Sequence, residues 1–426
     1  MHDSSPSGSR GQGRVILETP HHPIDRAAID PDALKIMDRL DKQGFLACLV
    51  GGAVRDLMLG RKPKDFDIAT DARPGQIKKR FANAYVIGRR FRLVHVHFPG
   101  DKIIEVATFR RSVPKEEEEA HAAREAHGEA VEPIDPYGTP REDAFRRDIT
   151  INALLYDAVL DAVIDYTGGL EDLERKRVRI IGDPETRFIE DPVRIWRVIR
   201  HAARLGFSIE ESAEKAIRAQ AALVAECAGA RLYEELNKDL AGETRPVLER
   251  LRRYGILRHI LGPLGRDYEA DAALFARLLV LLERSERCGA KAVKSEHEDA
   301  YALLFYPWVE RLFGRDDIDL GRVLSEEIHG LRCGATIPKL VRADAAQILA
   351  IAGAMVRGLR TGRMRWSLQK RAHYPKAEKL FFLVTEGALP GEGRSFETLF
   401  RRTFPRGGIG DRPRRRRTRR PRPAGA

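Results

Sequence analysis

The chain of 426 residues contains 75 lysines and arginines and 63 aspartates and glutamates, which gives a formal net charge of +12. Its hydrophobic content of 43% and charged content of 32% exclude a wholly disordered or fibrous protein, and its length predicts more than one domain. Residues 401–426 hold eleven arginines and one aspartate, so this tail alone carries +10. We therefore expect a nearly neutral body with a basic tail that binds a polyanion.

Nothing in the composition indicates a membrane or secreted protein. No run approaches the roughly 18 apolar residues that span a bilayer, and the N-terminal MHDSSPSGSRGQG has no apolar signal core. The cysteines, at positions 48, 227, 288 and 333, are far apart and form no CxxC pair. We predict a cytoplasmic protein with reduced thiols, no membrane span and no zinc site.

The first ordered elements alternate between helix and strand. Residues 1–22 are rich in Ser, Gly and Pro and are predicted to be disordered, whereas Asp30-Pro31 is typical of a helix start and Gly44 of a helix end. The β-prone runs that follow are Phe45–Val50, Phe66–Thr70, Tyr85–Gly88, Phe91–Phe98, Ile103–Phe109, Ala153–Ala158 and Ala162–Tyr166. Residues 23–170 are therefore predicted to form a head domain with a mixed sheet.

Helical periodicity replaces the strand signals after about residue 185. We predict a helical neck over residues 171–240, a helical body over residues 241–400 and a disordered Arg-rich tail over residues 401–426, so the fold class is α+β. Lys115–Glu132 (KEEEEAHAAREAHGEAVE) interrupts the head and is interpreted as a mobile acidic loop or a marginal helix.

A glycine pair and two aspartates follow the first predicted strands. Gly51 and Gly52 stand where a strand runs into a helix, and glycines there let backbone amides approach a phosphate; a tight turn without a ligand has the same pattern. Asp65 and Asp67 are two apart in a predicted strand, so both point to one face, about 7 Å apart. Two such carboxylates repel each other unless a cation lies between them, although DxD is also a common surface pattern.

A third acid, Glu105, lies in the middle of the β-prone run IIEVATF. A charge in a central strand is costly unless it is paired or binds a metal, and the alternative is that Glu105 faces solvent. Hard oxygen ligands suit Mg²⁺. Asp65, Asp67 and Glu105 are therefore candidate ligands of a two-metal nucleotidyl-transfer site, with one ion for an attacking hydroxyl and the other for a triphosphate.

Five motifs occur along the chain in an order that resembles one known protein family. GGAVRD, DFDIAT, IIEVATFR, EDAFRRDITINAL and IEDPVRIWRVIRHAARLGF resemble the bacterial branch of the polymerase-β-like nucleotidyltransferases, which contains CCA-adding enzymes and bacterial poly(A) polymerases. The match covers roughly residues 45–265. It implies a catalytic nucleotidyltransferase head, a helical neck, a helical body and a variable tail, with ATP as substrate and Mg²⁺ as cofactor.

The resemblance also implies a role for each matching residue. The triphosphate-binding turn is matched by Gly51, Gly52 and Arg55, the metal ligands by Asp65, Asp67 and Glu105, and the sugar-binding and catalytic-support motif by Arg147, Asp148 and Asn152. The base-reading EDxxR pattern is matched by Glu190, Asp191 and Arg194. By spacing alone, Arg146-Arg147-Asp148 equally fits a surface charge cluster.

The neck motif has its own helical pattern. Asp191-Pro192 suits an N-cap followed by proline at the first helical position. Arg194, Arg197, Arg200 and Arg204 then form one stripe, for which the plain interpretation is a solvated face. We assign Arg197 of this stripe, together with Arg414, Arg415, Arg416 and Arg417 of the tail, to RNA binding through phosphates.

Two features distinguish members of this family. Residues 86–98, VIGRRFRLVHVHF, resemble the segment typical of bacterial poly(A) polymerases, as does the basic tail. The resemblance therefore implies a template-independent polynucleotide adenylyltransferase that extends RNA 3′ ends with ATP, in RNA processing and decay. The alternatives are a CCA- or A-adding tRNA nucleotidyltransferase and a catalytically silent RNA-binding protein, against which the intact acidic set argues.

Overall fold

The computed structural model describes residues 15–18, 22–88, 92–113, 115–127, 134–288, 297–387, 389 and 393–405. The chain divides into two compact units, residues 1–220 and 221–426. This division falls inside the predicted neck, because helices that follow the sheet pack on one another and on short strands within the first unit. Among the described helices, none is both long enough and apolar enough to cross a membrane.

The first unit contains a mixed sheet with helices, so the predicted α+β class is confirmed. Its strands are β1 (Val15–Glu18), β2 (Ala47–Val50), β3 (Ile68–Thr70), β4 (Ala84–Ile87), β5 (Leu93–Phe98), β6 (Lys102–Thr108), β7 (Leu155–Asp157), β8 (Ala162–Asp165), β9 (Arg177–Val178) and β10 (Ser208–Ile209). Eight of them form one sheet in the order β1-β8-β7-β2-β3-β6-β5-β4, and β9 pairs with β10. Within the large sheet, β3 and β6 are parallel and the other pairs are antiparallel.

Two expectations about ordered residues need correction. The N-terminal segment predicted to be disordered contains the edge strand β1, because the apolar run Val15–Leu17 adds to the open edge of β8. Arg401–Thr403, predicted to belong to the disordered tail, instead complete the last helix of the second unit. Residues 406–426, including the four tail arginines assigned to RNA, lie outside the described residues.

Nine helices are described in the first unit. They are α1 (Pro31–Asp41), α2 (Gly52–Met58), α3 (Pro74–Arg80), α4 (Lys115–Ala126), α5 (Pro140–Arg146), α6 (Gly169–Glu174), α7 (Pro184–Glu190), α8 (Val193–Leu205) and α9 (Glu211–Gln220). The predicted Asp-Pro start of α1 is confirmed, because the Asp30 carboxylate accepts a hydrogen bond from the Asp32 amide at 2.8 Å. Helix α8 begins one residue later than predicted, although Pro192 already has helical dihedral angles.

The described part of the second unit is helical. Its helices are α10 (Gly229–Leu240), α11 (Thr244–Arg253), α12 (Leu257–Leu261), α13 (Pro263–Ala270), α14 (Ala272–Arg287), α15 (His297–Val309), α16 (Leu320–Gly330), α17 (Lys339–Thr361), α18 (Tyr374–Glu386) and α19 (Phe396–Thr403). Helix α15 is buried nearly all round, with Tyr301, Phe305 and Tyr306 almost inaccessible, and it packs on α14 and α17. This apolar helix is the centre of the second core.

Burial alternates from one residue to the next along the strands at one end of the large sheet, and this alternation places a candidate site residue on one face. In β6, Ile104 and Val106 are buried, whereas Glu105 between them is exposed. The sheet therefore has a core face and an open face at this end, and the acid lies on the open face.

Candidate active site

The two aspartates lie in the extended segment immediately before β3. The Val50 amide donates to the Asp67 carbonyl oxygen at 3.0 Å, which continues the β2–β3 pairing up to Asp67. Ile68 is buried, whereas Asp65 and Asp67 are both exposed. Both acids are therefore accessible to solvent, and the regular strand begins one residue after Asp67.

Glu105 lies on the strand next to β3, since Ile68 pairs with Val106. Crowding by protein atoms, together with the negative charges of Glu105 and Asp65, raises the pKa of Asp67 to about 6, and the positive charge of Arg147 opposes this rise. The exposed fraction of Asp67 is still more than a third, so solvent weakens this effect on stability. The negative charges of Glu105 and Asp65 therefore both act on the Asp67 carboxylate.

These carboxylates fit a hard divalent cation better than any other cofactor, because all three supply oxygen ligands. Among the described residues, no group of three or more His, Cys, Asp or Glu side chains is placed so that it could hold a metal ion. Magnesium commonly binds through one or two carboxylates and completes its shell with water and substrate phosphates. A magnesium ion at this site would therefore depend on water and substrate phosphates for part of its shell.

The glycine turn lies beside these acids. Gly51 has φ +74°, a backbone conformation that side chains disfavour, and it directly precedes α2. A Cβ atom at Gly51 would lie 3.1 Å from Nη1 of Arg147, so the guanidinium packs against the turn. Arg147, which also acts on Asp67, thus connects the predicted phosphate-binding turn with the acids.

Gly51→Ala tests whether this close approach matters for nucleotide binding. We expect a loss of about 1–2 kcal/mol in unfolding free energy from the backbone strain, together with weaker ATP binding because Arg147 is displaced. Gly60→Ala is the matched control, since Gly60 has φ +67° and nothing lies within 4 Å of the added Cβ. Thermal unfolding and ATP titration of both variants measure this. Equal ATP affinity in the two variants would contradict the proposed contact.

Arg55 is fixed by three partners. Its Nε and Nη2 donate to the Asp56 carboxylate at 2.8 and 2.7 Å, and its Nη1 donates to Oδ1 of Asn152 at 2.7 Å. The same Nη1 lies 3.4 Å from Nδ1 of His201 on α8, and Nε2 of His201 lies 3.4 Å from Nδ2 of Asn152. Arg55 and Asp56 are therefore not a solvated surface pair: they connect α2 with the RRDITIN segment and with α8.

Arg147 is held by Asp143, which was not among the predicted site residues. Asp143 on α5 is 4% exposed and accepts from Nε and Nη2 of Arg147 at 3.2 and 3.0 Å. It also accepts from Nε of Arg146 at 3.1 Å. The spacing of three and four residues within EDAFRRD was the signal for this contact, because such residues share a helix face.

Asp148 points to a different set of partners. Its carboxylate lies 2.7 Å from Nε of Arg197 and 3.5 Å from Nε of Arg194, both on α8. Arg194 Nη1 also donates to Glu190 at 2.8 Å, and Arg187 Nη1 donates to the same oxygen at 3.0 Å. Burial alone would raise the pKa of Glu190, but the hydrogen bonds and positive charges of these two arginines lower it, so Glu190 is an anion at neutral pH.

The arginines of α8 are therefore not a solvated stripe. Arg200 is 5% exposed and its guanidinium lies 5.9 Å from the centre of the Trp196 ring. Arg194 and Arg197 pair with acids, as described above. The interpretation of this face as solvated is wrong, because charged partners from α7 and from the RRDITIN segment cover it.

Two further residues join these groups and were not predicted. Arg187 Nη2 donates to the carbonyl oxygens of Arg146 and Arg147 at 3.3 and 3.0 Å, which ties α7 to the segment that carries Asp148. His201 contacts Arg55 and Asn152; burial and the neighbouring arginines hold its pKa well below the usual range, so its ring is neutral at pH 7. Neither position has a spacing signal, since both contacts join residues far apart in sequence.

Two family models match this chain. The model described as "Poly A polymerase head domain" matches residues 47–179, which include the glycine turn, the three acids and the RRDITIN segment. The model described as "Probable RNA and SrmB- binding site of polymerase A" matches residues 206–266.

Curated proteins and solved structures give the same family. Poly(A) polymerase I of Salmonella typhimurium is 39% identical over 70% of this chain and 64% of its own length. Poly(A) polymerase I of Haemophilus influenzae is 37% identical over 71% of this chain and 68% of its own length. CCA-adding enzymes also match, at 37% identity over about half of this chain. The chain therefore spans about two thirds of the length of these poly(A) polymerases.

A solved structure extends the likeness to the fold. The Bacillus stearothermophilus CCA-adding enzyme in complex with CTP has a TM-score of 0.60 and is 26% identical, covering 88% of this chain and 83% of the other.

Proposed function

Since this chain belongs to the poly(A) polymerase family of nucleotidyltransferases, we propose that it transfers AMP from ATP to the 3′ ends of RNA without a template. One observation carries the proposal: the charges of Asp65, Glu105 and Arg147 all act on the Asp67 carboxylate, and Arg147 packs against a glycine turn. A site with three acids next to phosphate-binding groups suits phosphoryl transfer, in which positioning and charge stabilisation provide most of the catalysis.

Asp65, Asp67 and Glu105 would hold Mg²⁺, which when bound would lower the pKa of the attacking hydroxyl and neutralise charge on the phosphates. The chain's own residues do the rest. Gly51 and Gly52 let the backbone approach the triphosphate, and Arg55 and Arg147 donate to its oxygens. Because Asp56, Asn152 and Asp143 already orient these two guanidinium groups, little entropy is lost when the nucleotide binds.

The reaction would be an in-line displacement at the α-phosphorus. The 3′-oxygen of the RNA forms a bond to phosphorus as the bond to the bridging oxygen of pyrophosphate breaks, and pyrophosphate leaves. The proton of the 3′-hydroxyl passes to solvent or to a carboxylate of the acidic group. We assign Asp148 to positioning, because its carboxylate pairs with Arg194 and Arg197.

Base selection would come from Glu190, Asp191 and Arg194. A carboxylate can accept from the amino group of adenine, while a guanidinium can donate to a ring nitrogen. The bonds from Arg187 and Arg194 to Glu190 fix both groups before the nucleotide arrives. A fixed pair of donor and acceptor can reject a base with the wrong pattern, because the mismatch leaves a polar group unpaired.

The choice of ATP and general RNA over tRNA ends rests on similarity and on composition. Sequence likeness to poly(A) polymerases extends over 59–71% of this chain, but likeness to CCA-adding enzymes over about half. The Arg-rich segment that contains residues 414–417 suits non-specific retention of RNA through phosphates. Acting on RNA with ATP, the protein would work in the cytoplasm.

The test is a transfer assay with two acceptors and two nucleotides. We expect the purified protein with ATP and Mg²⁺ to add long A tracts to an unstructured RNA. Addition of C-C-A to a truncated tRNA from CTP and ATP would favour a CCA-adding enzyme, the second candidate, which the fold of the CTP-bound relative supports. RNA binding without any incorporation would indicate a silent RNA-binding protein.

A further inference from the structure

The three strands at one end of the large sheet expose a single face. On β4, β5 and β6 the core face is made by Ala84, Val94, Val96, Ile104 and Val106, all nearly inaccessible. The opposite face carries large apolar side chains, which are usually buried in a protein core. Tyr85 and Ile87 on β4 are 56% and 45% exposed, and Ile103 on β6 is 45% exposed. Exposed apolar side chains gathered on one face typically mark a binding surface.

Aromatic rings form a row across this face. The ring centres of Tyr85 and His97 are 5.0 Å apart in an edge-to-face arrangement, and those of His95 and His97 are 6.4 Å apart. Tyr85 pairs with His95 in the β4–β5 register, and His95 pairs with Glu105 in the β5–β6 register. The row therefore leads from the sheet edge to the third acid of the candidate site.

The end of the row reaches the acid itself. Nε2 of His95 lies 3.5 Å from Oε1 of Glu105. Adjacent strands are about 4.8 Å apart, so Tyr85 lies about 10 Å from Glu105 across the face. That distance is about the length of two or three stacked bases.

We propose that Tyr85, His95 and His97 form a platform on which the last bases of the acceptor RNA stack. The inference rests on the proposed function, because the RNA 3′-hydroxyl must lie beside Glu105 for transfer to occur. Stacking on aromatic rings is independent of base identity, which suits an enzyme that accepts many RNA ends.

The face fits RNA better than a protein segment. A peptide that adds to the sheet would pair with the backbone of the edge strand β4, and this needs no rings on the face. The rings instead lie on the face of β4 and β5, and their row ends at Glu105 on β6, where the RNA terminus is required. A protein partner would also cover Glu105 and block the site.

Tyr85→Ala removes the outermost ring without disturbing the core. We measure binding of a short unstructured RNA that carries 2-aminopurine as its last base, without nucleotide, by fluorescence quenching. Loss of one stacking contact is expected to weaken binding about 5- to 50-fold. Tyr85→Phe keeps the ring and is expected to bind like the unaltered chain. Val159→Ala, at a 54% exposed position in the β7–β8 turn, is the surface control and is expected to change nothing.

An RNA whose last nucleotides lack bases completes the test. The unaltered protein should lose affinity for this RNA by about the factor that Tyr85→Ala loses for the intact RNA, and Tyr85→Ala should lose little more. Equal binding of intact RNA by Tyr85→Ala and the unaltered chain, or no quenching in the unaltered chain, would overturn the platform. Because binding is measured without nucleotide, quenching without AMP transfer would reject the proposed function alone, and transfer without quenching would reject the platform alone.

Discussion

Replacement of Asp67 by Asn should reduce the rate of AMP transfer at least about 1,000-fold. The same substitution should slightly raise the melting temperature at pH 7. Activity falls because a metal ligand is lost. Stability rises because burial, and then the negative charges of Glu105 and Asp65, disfavour the charged form of Asp67 in the folded protein. RNA binding should be unchanged, since it does not depend on this carboxylate.

The pH dependence of this stability difference has a definite sign. The pKa of Asp67 is about 6 in the folded chain, above the ordinary value of 3.8, so the folded state binds more protons than the unfolded state between these values. The stability of the unaltered protein therefore decreases as pH rises from about 4 to 6. The Asp67→Asn variant should not show this decrease. Melting curves without Mg²⁺ should converge below pH 4 and separate above pH 6.

Asp71→Asn is the matched control for Asp67→Asn. Asp71 follows β3, and its Oδ1 accepts from the Leu46 amide at 2.9 Å, a contact that an asparagine keeps. It is expected to retain transfer. Substantial residual incorporation by Asp67→Asn, or an equal loss in Asp71→Asn, would contradict the assignment of Asp67 as a metal ligand.

Replacement of Arg194 by Ala should reduce the kcat/KM for ATP by about 10- to 100-fold and should reduce the preference for ATP over CTP. Arg194 contacts Glu190 and lies beside Asp148, so its loss frees the base-reading carboxylate and leaves Asp148 with fewer partners. The same contact with Arg194 lowers the pKa of Glu190. Steady-state kinetics with each nucleotide measure both effects.

Arg175→Ala is a suitable control for this substitution. Arg175 pairs with Glu171 at 2.7 Å with i,i+4 spacing, as Arg194 does with Glu190, but the pair is solvent-exposed. Its loss should leave kcat/KM and nucleotide preference unchanged, because exposed ion pairs contribute little. An unchanged ATP preference in Arg194→Ala would remove Arg194 from base reading.

Local patterns anticipated much of the first unit. The β-prone runs located β2 to β8 within a few residues, and the Asp-Pro pair located the start of α1. The edge strand β1 was missed because four residues next to a Ser- and Gly-rich segment have no pattern of their own. Their partner, β8, lies about 150 residues further along the chain.

Only some of the contacts in the candidate site could be predicted from local sequence. The glycine turn and the acids lie where the motifs indicated, since each depends on a short stretch of chain. The orienting contacts of Asp143, Arg187 and His201 depend on segments that approach only after folding. For the same reason, the arginines of α8 could not be separated from a solvated face by helical spacing alone.

We propose above all that this chain selects ATP and builds a homopolymer on RNA. The most direct measurement is the sequence of the nucleotides added to one unstructured RNA when all four nucleoside triphosphates are present at equal concentration with Mg²⁺. Our account predicts an uninterrupted run of A. An added C-C-A, a mixed sequence or no extension would contradict it.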